Sequence, residues 1–182
     1  MLLFQKKVHK GDKLTLTQLT EVLAHGLAQC KNTLEKKEFG MLALEAYDYE
    51  QDLEMDKFMK YEGDDQFAQQ QRYASESLPI AENVRGAYFR NLIYRDDVIS
   101  LLNIVWSPRV ITPIHGHNCN GCWVLNVQGN LIEDTFRRTS NAKLMKTGTS
   151  VVTPGMIAYA HNTIGFHSIH NESFDTPAVT LH

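Results

Sequence analysis

The chain has 182 residues, 43% of them hydrophobic and 21% charged, with a formal net charge of −3. That length and balance describe one folded unit with a sizeable core, and they exclude a disordered or low-complexity chain. A slightly acidic protein is a poor match for nucleic acid or an anionic membrane surface, so neither is expected as a partner.

Three cysteines, Cys30, Cys119 and Cys122, make no disulfide framework. The N-terminus lacks the apolar core and cleavage site of a signal peptide, and no apolar run is long enough to span a bilayer. A cytoplasmic protein is expected. Residues 1–61 read as a helical cap. Leu16, Leu19, Leu23 and Leu27 recur at helical spacing behind a Thr15/Gln18 capping box, and Gly40 is expected to separate off a second helical piece in which Met41, Leu42, Leu44 and Ala46 are apolar on nearly all sides. A shorter piece follows over Asp52 to Tyr61. Residues 62–85 are polar, with Gln69-Gln70-Gln71, and read as a loop or insertion.

From Gly86 the pattern becomes β and stays so to residue 182. Alternation predicts strands at Ala87–Ile93, Val98–Trp106, Cys122–Val127 and Asn130–Phe136, with Arg137 to Ala142 as a polar turn. Shorter strands are predicted at Thr149–Val152, Met156–Ala160, Phe166–His170 and Ala178–His182. Eight or so short strands between turn signals point to a mainly β fold, a sandwich or barrel, over residues 86–182, with the cap part of the same domain.

Six of the eight histidines fall in this β-region. His115 and His117 are two apart, which on a strand puts both imidazoles on one face, and Gly116 leaves the space between them open. Asn120-Gly121 then turns the chain back toward Cys122. Two histidines do not hold a catalytic metal, so a third ligand must come from elsewhere, and His167 is the best candidate. His161 and His170 read as strand-end or surface residues. A structural zinc site from His115, His117, Cys119 and Cys122 is the competing arrangement, and a β-fold that only binds a small ligand is another.

His115-x-His117, Cys122 and Gly129, followed by Gly148, Pro154, His167 and Asn171, resemble the two motifs of the cupins, with a cysteine where many cupins carry a glutamate ligand. Cupins are jelly-roll β-barrels that hold a metal among their strands. The resemblance narrows on Tyr88-Phe89-Arg90-Asn91-Leu92, Trp106, Gln128-Gly129-Asn130-Leu131, Ile164-Gly165-x-His167 and Pro177-Ala178-Val179-x-Leu181-His182. Together these are similar to the cysteine dioxygenase family over roughly residues 86–182.

The resemblance implies one Fe(2+) per chain held by His115, His117 and His167, a facial triad with histidine in place of carboxylate. It implies L-cysteine and O2 as substrates, with both oxygen atoms added to sulfur to give cysteine sulfinic acid; a monomer is expected. Arg90 would clamp the substrate carboxylate, assisted by Tyr88 on the same strand face. Relatives acting on mercaptopropionate typically lack the arginine and the cysteine, so Arg90 and Cys122 favour cysteine. Cys122 matches the cysteine that becomes thioether-linked to a tyrosine in animal-type members. That tyrosine would stand two residues beyond His182, which matches the histidine that orients it; Thr180 stands where the family usually has serine. The sequence therefore reads as a fragment, expected to lack the thioether, with Tyr88 and Tyr159 as substitutes that do not match the partner position.

Overall fold

The computed structural model describes residues 13–52, 88–117, 121–161 and 165–182. The expected third helical piece, the polar stretch 62–85 and the boundaries drawn around it therefore lie outside the described residues, apart from Asp52.

Two helices open the described chain, α1 (Leu16–Gln29) and α2 (Thr33–Glu45). The Thr15 side chain accepts from the Gln18 amide while the Gln18 side chain accepts from the Thr15 amide, so the capping box forms as the sequence predicts. Asn32 caps α2 in the same way, accepting from the Glu35 amide. Gly40 does not break α2. A Cβ there would lie 2.4 Å from the Trp123 indole, and one at Gly26 of α1 would overlap Phe39. Both glycines mark close approach inside continuous helices. α2 is also not buried all round, since Leu42 is 60% exposed.

Eight strands follow: β1 (Tyr88–Arg95), β2 (Ser100–Trp106), β3 (Cys122–Gln128), β4 (Leu131–Arg138), β5 (Leu144–Val152), β6 (Ile157–Ala160), β7 (Phe166–His170) and β8 (Ala178–Leu181). They form a five-stranded sheet in the order β1-β2-β8-β3-β6 and a three-stranded sheet in the order β5-β4-β7. Every described pairing between strands is antiparallel. The chain passes between sheets at β3–β4, β5–β6, β6–β7 and β7–β8, so the jelly-roll expectation is met by two sheets that exchange strands. β5 starts five residues earlier than its alternation suggests, and β4 runs on to Arg138, which shortens the expected polar turn.

The five-stranded sheet is the middle layer. Leu101 and Val105 of β2, Leu125 and Val127 of β3, and Val179 and Leu181 of β8 share one face and pack with Leu16, Leu19, Leu23 and Leu44 of the helices. Burial of a side chain such as Leu19 or Leu125 stabilises the fold by roughly 1.5–3 kcal/mol. The opposite face contributes Ile104, Trp106 and Ala178 to a second core with Leu131 and Val152 of the three-stranded sheet. Strand alternation thus splits the apolar residues between the cap and the inter-sheet space, and it sends Tyr88, Arg90, Cys122, Thr180 and His182 toward that second space. Among the described residues no helix is long and apolar enough to cross a membrane.

Candidate metal centre

His115 and His117 are not on a regular strand. Their segment touches the three-stranded sheet only through isolated bridges, Ile111 to His170 and His115 to His167. The amides and carbonyls of His115 and His167 exchange two hydrogen bonds, each 2.9 Å, which fixes these two backbones directly opposite each other. His117 lies just past the bridge and its ring still turns in. Gly116 is not sterically required, since a Cβ there would meet Phe166 at an ordinary 3.4 Å. Gly165 is required: its φ is +138°, and a Cβ would stand 2.8 Å from the Phe136 carbonyl oxygen as the chain enters β7.

The result is a group of three imidazoles, His115, His117 and His167, whose ligand atoms all lie within 4.8 Å of one another. Ring centroids are 5.4 Å apart for His115 and His117, 4.6 Å for His115 and His167, and 4.8 Å for His117 and His167. Nε2 of His117 and Nε2 of His167 approach to 2.7 Å. Two of the rings are oriented from behind. His115 Nδ1 donates to the Pro113 carbonyl at 2.9 Å, and His167 Nδ1 donates to Glu133 Oε1 at 2.7 Å. With Nδ1 carrying the proton, Nε2 is left as the lone-pair donor, as metal binding requires. Burial, with His167, His115 and the Arg90 cation nearby, pushes His117 down to about 4, and burial lowers His115 as well. These imidazoles are neutral at pH 7, which is the ligating form. The donor set therefore fits a borderline divalent transition metal such as iron.

The other expected residues gather beside this group. Register pairs Tyr88 with Trp106 and Arg90 with Ile104, so Tyr88 and Arg90 share the inward face of β1, and the guanidinium sits 5.6 Å from the Tyr88 ring centroid. After burial in each case, the Arg90 cation adds to the lowering of His115, His117 and His182. Cys122 Sγ is 3.9 Å from His182 Nδ1. His182 Nε2 is 2.7 Å from the Thr180 hydroxyl, which in turn accepts from the Trp106 indole N–H at 2.8 Å. Burial, then Arg90, pushes His182 down to about 3, so it too is neutral. Tyr159 pairs with Trp123 in the β3–β6 register, on the face opposite Cys122. Of the competing zinc set, Cys119 lies outside the described residues, and the third member of the described cluster is His167, not Cys122.

Glu133 went unpredicted. Its signal was available in the step of two from Leu131 to Thr135, which puts a carboxylate on the inward face of β4. It also borders a cavity of ≈ 200 Å3 that reaches the triad edge at His117 and His167, with Thr135, Tyr159 and His161 among its walls; Tyr88 and Arg90 stand outside that lining. His161 follows β6 half-buried, and His170 ends β7 against Ser168 and Asp134, both at strand ends as expected. Asn171 is fully buried and structural, donating to the Trp106 and Thr176 carbonyls.

The model of the family described as cysteine dioxygenase type I matches residues 72–182. Cysteine dioxygenase type 1 of Homo sapiens is 32% identical over 99 residues, covering 52% of this chain and 49% of the human protein. Those of Rattus norvegicus and Danio rerio are 31% and 30% identical over the same length and coverage. The chain spans about half the length of the curated relatives it matches. A cupin domain from Bordetella pertussis is similar at 19% identity and a TM-score of 0.39, covering 53% of this chain and 91% of that domain, a superposition too loose to bear on the site. The family match runs through every strand from β1 to β8 and takes in all three converging histidines, and on that ground the chain belongs to the cysteine dioxygenase type I family.

Proposed function

We propose that this chain carries the catalytic centre of a non-haem iron(II) thiol dioxygenase that converts L-cysteine and O2 to cysteine sulfinic acid, with one Fe(2+) per chain. The observation that carries the reading is the convergence of three imidazoles within 4.8 Å, with Arg90 and Tyr88 sharing the inward face of β1. His115, His117 and His167 would hold the iron through Nε2, and the iron would supply a stabilised thiolate and the reactivity of O2. Three imidazole ligands would leave the metal most of its positive charge, which favours an anionic sulfur ligand over a neutral one.

Arg90 would bind the substrate carboxylate through its planar fork, with the Tyr88 ring beneath the guanidinium limiting its motion. That pairing selects an amino acid thiol over a bare aminothiol. The Trp106–Thr180–His182 chain holds His182 as the tautomer whose Nδ1–H faces Cys122 Sγ. The sulfur keeps a hydrogen-bond donor beside it without a formal positive charge being added to the site. In the overall reaction two S–O bonds form and the O–O bond breaks. The electrons that reduce O2 come from the sulfur, so no external reductant is needed.

The test is oxygen uptake by Fe(2+)-loaded protein given L-cysteine, with 18O2 tracing of the product. Both labelled atoms should appear in cysteine sulfinic acid, and His115→Ala should lose both iron loading and oxygen consumption. Iron loading and uptake unaffected by His115→Ala would overturn the assignment, as would a protein that takes up zinc in preference to iron and consumes no oxygen.

A further inference from the structure

The three imidazoles are not held alike. His115 Nδ1 donates to a neutral acceptor, the Pro113 carbonyl, whereas His167 Nδ1 donates to a carboxylate, Glu133 Oε1, at 2.7 Å. The register of β4 against β7 sets Thr135 opposite His167 and Glu133 opposite Ile169, so Glu133 reaches the ring from two residues along the same face. Leu131, two residues before it on the same face, is 2% exposed and anchors that face in the inter-sheet core. The Glu133 and His167 side chains are 22% and 12% exposed, so water screens the contact only in part.

We propose that Glu133 is a positioning residue for His167: its carboxylate accepts the Nδ1–H, fixes the tautomer with Nε2 free, and makes this ring the strongest donor of the three. The inference rests on the reading of the triad as an iron site. A carboxylate behind a ligating imidazole raises its basicity and holds its plane, and removing such a partner typically weakens metal binding by about 10–100-fold. A charge placed here also offsets part of the metal's positive charge through one ligand, which favours the ferric over the ferrous state.

The experiment measures Fe(2+) affinity by competition with a chelator, together with the ferric/ferrous potential, in the parent, Glu133→Ala, Glu133→Gln and His167→Ala. Glu133→Ala should weaken affinity by about 10–100-fold. Glu133→Gln keeps an acceptor but not the charge, so it should fall between parent and Glu133→Ala, with a more positive potential and an unchanged melting temperature without metal. If Glu133→Ala does not fold, Glu133→Gln carries the test alone. A merely structural role would lower the metal-free melting temperature and leave the affinity of the folded protein as it was, which overturns the proposal. Parental affinity and potential in Glu133→Gln also overturn it, provided His167→Ala abolishes binding. If His167→Ala itself binds iron like the parent, the iron-site reading fails instead.

Discussion

Thr180→Val removes one oxygen from the inside of the sheet and should be among the costliest single changes in the β-region. Thr180 is 1% exposed, and its hydroxyl stands between the Trp106 indole N–H at 2.8 Å and His182 Nε2 at 2.7 Å. Valine matches its shape and satisfies neither partner. A buried group left without its hydrogen bond costs about 1–3 kcal/mol, and two groups are orphaned here. The added methyl returns at most about 0.8 kcal/mol of burial. The net loss is about 1–5 kcal/mol, against a total stability of about 5–15 kcal/mol for an ordinary domain. Urea unfolding of the metal-free protein reads this as a lower midpoint at constant slope. Thr180→Ser is the control: it keeps the hydroxyl and gives up one methyl, about 0.8 kcal/mol. A valine variant within about 0.5 kcal/mol of the parent, or a serine variant as unstable as the valine one, would show that the Trp106–Thr180–His182 chain is not the stabilising unit argued from these distances.

Arg90→Ala should raise KM for L-cysteine by at least about 10-fold, since hydrogen bonds to a charged group contribute about 1.5–3 kcal/mol; equal turnover of cysteine and cysteamine by the parent would remove Arg90 from that role. The metal-free protein should lose stability as pH falls. His182 is held near 3 when folded against 6.5 in an unfolded chain, so the folded state resists protonation, full stability lies above about pH 6.5, and it drains by about 1.4 kcal/mol per pH unit for each such histidine on the way to the folded pKa. Arg90, His115, His117 and His167 all act on His182 in the same sense, so His182→Gln should flatten this slope in urea titrations, and an unchanged slope would remove His182 as its source. Gly40→Ala sets about 1 kcal/mol of helix propensity against overlap with Trp123 at 2.4 Å, and overlap of that kind costs about 1–3 kcal/mol. A lower melting temperature with altered tryptophan emission is expected, and a stabilised variant would mean the helix and the indole are not in contact.

What the sequence revealed, and what it concealed, follows from where the determining interaction lies. The strands were legible because alternation is local: Phe166–His170 is found as read, and β1, β3, β4, β6 and β8 differ by a residue or two at their ends. The capping box at Thr15 was legible for the same reason. Gly40 was misread because its partner, the Trp123 indole, comes from a distant strand; that ring donates to the Lys37 carbonyl at 3.0 Å and needs a helix surface without a Cβ. Within α2 alone, a glycine that permits contact and one that ends a helix look the same. Glu133 was missed on similar grounds, since nothing in Leu-Ile-Glu-Asp-Thr shows that β7 lies alongside.

The histidine pair was found by an argument whose premise only half holds. Strand alternation predicted one face for His115 and His117, yet His117 lies past the last bridge. What aligns the group is the two-bond bridge from His115 to His167 together with the oriented Nδ1 of each. The backbone that carries two of the ligands is therefore bonded directly to itself across the sheet, and their spacing does not depend on a metal to draw them together. A preformed arrangement of this kind lowers the ordering cost of metal binding. It also confines the adjustable part of the site to His117, whose segment leaves the sheet after Gly116, and to the sulfur and guanidinium on the facing sheet. On the proposed reading the ligand geometry is set by the three-stranded sheet and the substrate contacts by the five-stranded one, so substitutions on β1 should alter substrate choice while leaving the ligands undisturbed.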